Sequence, residues 1–180
     1  MSKRECDKPA RGFPRPPDRP VIRSGLFKKV RSMTELPVRH FLSDDAVAHV
    51  GEGLLRRILP REEWTHEAHL AATTYLVLKH PEIDLDAELR EIISSFNESV
   101  GGVNSDTEGY HDTITHAYLR AIRFFLAAAN VSRPTHELVN ELLMSPMGRR
   151  DWPLRFWSKE RLMSVEARRG WVEPDLATMP

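Results

Sequence analysis

Three histidines carry the chemical interest of this chain. His66 and His69 stand in Trp64-Thr65-His66-Glu67-Ala68-His69-Leu70, and His111 follows in Gly109-Tyr110-His111-Asp112-Thr113-Ile114-Thr115. Residues three apart share a helix face, so the first pair offers two imidazoles to one point. A third from another helix would complete a neutral nitrogen set suited to a first-row divalent metal. Zinc there would activate water for hydrolysis, whereas iron would support oxygen chemistry. Glu67 or Asp112 would serve as fourth ligand or base. Tyr110 would donate to a bound substrate, Thr115 would orient it, and Asn104 and Thr113 would bind it.

Two further spacings bear on the metal. Glu63-x-x-His66 and Glu108-x-x-His111 match the carboxylate–histidine spacing of di-iron bundles. That spacing works only inside a helix. Thr65 as a cap leaves Glu63 outside its helix, and Gly109 puts Glu108 in a loop, so a mononuclear site is the expectation. The other five histidines, His40, His49, His80, His116 and His136, read as solvated or helix-terminal.

The elements that must position these residues are helices. Ser43 caps a first helix with Asp44 and Asp45 in its first turn and Val47, Val50, Leu54 and Ile58 on one face. A second runs from about His66 to Lys79, capped by Thr65 and stopped before Pro81. Leu85, Leu89, Ile92, Ile93, Phe96 and Val100 give a third, ended by Gly101 and Gly102. A fourth covers about 110–129 and buries Ile114, Ala117, Ala121, Ile122, Phe125 and Leu126, with His111 in its first turn. A fifth, about 136–144, opens at Thr135 and closes at Pro146. No segment alternates over strand length. The expectation is an all-α, single-domain bundle of about five helices. The three histidines would gather at one end of it, under the loop 103–109.

Residues 146–180 differ, with Trp152, Phe156, Trp157 and Trp171 among prolines and arginines. Ser158 and Ser164 read as caps of two short helices ending at Gly170, packed on the bundle. Residues 1–40 differ again. They hold eleven Lys and Arg against four acids, a net +7 that leaves −7 on residues 41–180 of a chain that is neutral overall. Five prolines fall in the first twenty residues, so 1–40 reads as a basic, disordered tail and 41–180 as the helical domain.

Composition narrows the classes. At 180 residues the chain suits one domain, and apolar residues make up 41%, or about 46% with the 9 glycines, the range of ordinary globular proteins. No apolar run is long enough to span a membrane, no secretory signal is visible, and one cysteine, Cys6, gives neither disulfide framework nor thiolate cluster. A cytoplasmic protein with a small-molecule substrate, no membrane partner and no nucleic-acid partner is expected. No Gly-rich phosphate cradle, Gly-x-Ser-x-Gly elbow or dinucleotide fingerprint suggests another enzyme class.

The two histidine segments, with the closing Trp157-Ser-Lys-Glu-Arg-Leu-Met-Ser-Val-Glu-Ala-Arg-Arg-Gly-Trp171-Val-Glu-Pro-Asp-Leu176, resemble a group of small bacterial proteins over roughly residues 60–180. That group pairs aromatic-x-His-x-x-His-Leu with Tyr-His-Glu-Thr-hydrophobic-Thr, and Asp112 here stands in the Glu position. The resemblance carries no activity. It implies that His66, His69, Tyr110, His111, Thr113 and Thr115 belong to one site. Two functions follow as expectations: a zinc- or iron-dependent enzyme acting on a small molecule, or a non-enzymatic helical module that binds a partner or effector and uses its histidines structurally.

Overall fold

Ser43 accepts a hydrogen bond from Ala46 N and opens α1 (Asp44–Leu55), and Thr65 does the same for Ala68 N and opens α2 (His66–Lys79). Short polar side chains at these positions satisfy amides that the first helical turn leaves without partners. Three further long helices follow, α3 (Leu85–Ser99), α4 (Asp112–Ala128) and α5 (Thr135–Met144), then the short α6 (Lys159–Leu162) and α7 (Val165–Arg169). The computed structural model describes residues 38–180, and among them there is no strand. The residues expected to form the basic tail lie outside this range, except for Val38–His40 at its start. Residues Pro37–Pro180 form one compact unit. The all-α bundle read from the sequence is the observed fold.

The helix α2 runs through the centre, against α1, α4 and α5. Its sequence is apolar on more than one side, and Ala68, Leu70, Ala71, Ala72, Thr73, Thr74 and Leu76 are all buried. The main core joins them to Val47, Leu54, Leu89, Phe96, Leu119, Ile122, Leu138 and Leu142. A second core forms where the C-terminal segment packs on the bundle, with Trp157 fully buried beside Ala117, Ala121, Trp152, Leu162, Ala167 and Val172. The aromatic segment is thus interior material, as expected.

Four local expectations are corrected. Ile58 is not on the α1 face: the helix ends at Leu55, Arg57 turns the chain with φ of 59°, and Ile58 is 69% exposed. His111 is not in the first turn of α4 but is its N-cap, its Nδ1 accepting from Ile114 N. Thr135 does not cap α5 but is its first residue, and Asp44 of α1 accepts from His136 N in its place. Ile114 and Phe125 are only partly buried.

Candidate functional site

The first turn of α2 sends three side chains in three directions. The His66 Nε2–H donates to Gly148 O at 2.8 Å, and its ring meets Tyr118 of α4 edge-on with centroids 5.4 Å apart. The Tyr118 hydroxyl donates to the adjacent carbonyl, Arg149 O, at 2.7 Å. Glu67 accepts from Arg150 Nη2 at 3.3 and 3.4 Å. The turn 148–150 is therefore held from α2 and α4 at three successive residues. Glycine is required at 148, since a Cβ there would lie 2.5 Å from Leu142 O and from the Leu143 backbone.

His69 is the third direction, and it differs from the other histidines. It is exposed although Ala68 and Leu70 through Thr74 around it are buried. Its ring stacks on Trp64 at 3.9 Å, and Trp64 in turn meets Phe96 of α3 edge-on at 5.0 Å. Desolvation, with the charges of His66 and Arg150 adding, lowers the His69 pKa from 6.5 to about 3 against the opposing charge of Glu67. His66 is also lowered, first by desolvation and then by Arg150, with the Gly148 carbonyl and Glu67 working the other way. Both rings are neutral near pH 7. Among the described residues, neither nitrogen of His69 has a hydrogen-bond partner, nor has the exposed His40, whereas His49, His66, His80, His111, His116 and His136 all do.

Burial works to raise the Glu67 pKa, but its own amide, the Thr65 hydroxyl and Arg150 outweigh it and hold the carboxyl below the usual range. Glu67 is thus an ionised partner of Arg150. The Tyr118 phenol is pushed upward by desolvation and by Asp151, so it stays a donor.

The second histidine segment is put to a different use. The His111 Nε2–H donates to Leu162 O at 2.9 Å while Nδ1 caps α4, so both nitrogens are engaged. Thr113 donates to Gly170 O at 2.8 Å and accepts from Val172 N at 3.1 Å. Asp112 accepts from Arg90 at 2.7 Å and from the Tyr110 hydroxyl at 3.1 Å. Asn104 donates to Ser94 O and Glu98 and accepts from Tyr110 N and Asn97. Thr115 is half-buried. These residues fasten α6 and α7 and the loop 103–109 to α3 and α4.

The arrangement gives no support to a three-histidine metal centre. The Nε2 of His66 and both nitrogens of His111 are spent on protein groups, and none of the contacts of His111 is to His66 or His69. Among the described residues, no group of three or more His, Cys, Asp or Glu side chains is placed to hold a metal ion. Of the expected site residues, His66, Glu67 and His69 share the first turn of α2 and turn to different partners. The geometry assigns Tyr110, His111, Asp112 and Thr113, with Asn104, to fastening. Three participants were not anticipated. Trp64 is adjacent to the motif and Tyr118 stands three residues past Thr115, so both were within reach of a face argument; Arg150 carries no sequence signal. No protein-family model, curated protein or solved structure matches the chain.

Proposed function

We propose that this protein binds a small molecule at His69, with the neutral imidazole as its hydrogen-bonding and proton-exchanging group and Trp64 as an aromatic wall. One observation carries the reading: His69 is exposed and unbonded in a stretch of α2 that is otherwise buried. An exposed ring with neither nitrogen bonded to a described protein group offers one donor and one acceptor to a ligand. The alternative reading of the histidines as structural applies to His66 and His111, whose bonds to backbone carbonyls fix the C-terminal segment.

A thermal-shift screen of small polar molecules on the wild type and His69→Gln tests the proposal. Compounds that stabilise the wild type should lose that effect in His69→Gln, whose own midpoint stays within a few degrees of wild type. Hits that bind both proteins alike would overturn it. Equilibration with Zn²⁺ and Fe²⁺ tests the metal reading separately. Stoichiometric retention that disappears in both His66→Ala and His111→Ala would restore a histidine metal centre and displace the present proposal.

A further inference from the structure

A cavity of about 310 Å³ lies between the chain entering α1, α1 itself and the segment that leads into α2. That volume is at the low end of the range small-molecule sites occupy. Part of its lining is buried and apolar: Val50 of α1 is 5% exposed and Ala68 of α2 is 2% exposed, with Phe41 and Ala46 half-buried. The walls are fixed by side chains. Asn140 of α5 accepts from Phe41 N at 2.9 Å and donates to Phe41 O at 2.8 Å, which holds the entering segment in place. The His49 Nε2–H donates to Glu63 at 3.0 Å and ties α1 to the turn Arg61–Glu63.

His49 and Glu63 both line the cavity, and their pairing sets what they offer. An ionised carboxylate only accepts, so the hydrogen of the neutral ring sits on Nε2 and Nδ1 is left as an acceptor. Nδ1 has no hydrogen-bond partner among the described residues. One cation among the lining residues, Arg39, stands against one anion, Glu63. With the rings of His40 and His49 neutral, the lining carries no net charge that would select an ion.

We infer that this cavity binds an uncharged small molecule with a ring-sized apolar body and one hydrogen-bond donor, as in a phenol. The body covers Val50 and Ala68. The donor is accepted by His49 Nδ1, and Glu63 is the positioning residue that keeps this nitrogen free of hydrogen. The inference is independent of the reading of His69.

The test is binding of phenol, toluene and benzoate to the full chain, followed by the NMR shifts of the Ala46, Val50 and Ala68 methyl groups. Phenol should move these methyls saturably and bind about tenfold more tightly than toluene, which lacks the donor. Benzoate, a charged acceptor, should bind more weakly than phenol. His49→Leu keeps the cavity apolar and should erase the preference for phenol over toluene. The His49 side chain is 59% exposed, so its replacement spares the core. Glu63→Gln should reduce the same preference. The ¹⁵N shifts of the neutral His49 ring should show the Nε2–H tautomer in the wild type and a mixture of tautomers in Glu63→Gln. His69→Gln should leave phenol binding unchanged, which separates this cavity from the site proposed at His69. Three methyls unmoved by phenol, benzoate bound as tightly as phenol, or a phenol preference that survives His49→Leu would each overturn the inference.

Discussion

A neutral, unbonded imidazole offers one donor and one acceptor, and its cost is visible in how stability depends on pH. The folded pKa of His69, about 3, lies below its unfolded value of 6.5. Between those values the unfolded chain binds more protons, so stability rises with pH through that window. His69's contribution is complete above pH 6.5 and is lost as pH falls toward 3. Urea denaturation between pH 4 and 7 should show this slope in the wild type and a flatter one in His69→Gln; parallel slopes would contradict the lowered pKa. Thr113 gives a second prediction. Its hydroxyl bridges Gly170 O and Val172 N, and it is fully buried. Thr113→Val keeps the shape and strands both backbone groups, so the loss should be about 2–3 kcal/mol in equilibrium unfolding. His69 and Thr113 look alike in sequence, as polar residues among apolar ones in a helix. What separates them is whether a backbone group comes near, and that is decided by residues far along the chain.

Helix ends decided which elements were legible. Ser43, Thr65, Ser158 and Ser164 cap as their types predict, and α2 and α3 keep the expected bounds closely. The end of α1 was misplaced because its stop signal is an arginine. Ile58 N donates to Gly53 O and Arg57 N donates to Leu54 O, the two bonds of a left-handed helix stop, with Arg57 where glycine is usual. A side chain in that conformation costs roughly 1–2 kcal/mol. Arg57→Gly should therefore stabilise the protein by about 1 kcal/mol, measurable as a raised thermal midpoint. Gly51 should behave the opposite way. Alanine in a helix is favoured over glycine by about 1 kcal/mol, but a Cβ at 51 would stand within 2.3 Å of Tyr75 Cδ1. The Tyr75 ring is tied by its hydroxyl to Glu52 at 3.0 Å and cannot swing away freely. Overpacking wins, and Gly51→Ala should lose about 1–3 kcal/mol.

At the scale of the molecule, the two cores are one structure. Tyr118 and Met147 pack against both, and His66, His111 and Thr113 bond the C-terminal segment to the bundle. Trp157→Ala empties the second core and removes the indole donor to Val172 O, a loss of about 3–5 kcal/mol. Its unfolding should remain a single transition, with fluorescence and far-UV circular dichroism coincident. An early transition of the C-terminal segment alone would show the cores to be separable. This coupling is also why the candidate site was only half legible. Local spacing places His66, Glu67 and His69 on one turn, but periodicity within one helix says nothing of Arg150, whose position depends on the turn after α5 and on Gly148.

The bond from His66 to Gly148 spans 82 positions of the chain. During synthesis, α2 is made long before the turn 148–150 that His66 and Glu67 hold, and that turn follows α5 directly. Closing so long a loop is entropically costly, though the cost grows only slowly with length. The contacts of α2 with this turn are therefore acquired late. A chain cut after Met144 would leave His66 and Glu67 without Gly148 and Arg150, and Tyr118 without Arg149 O.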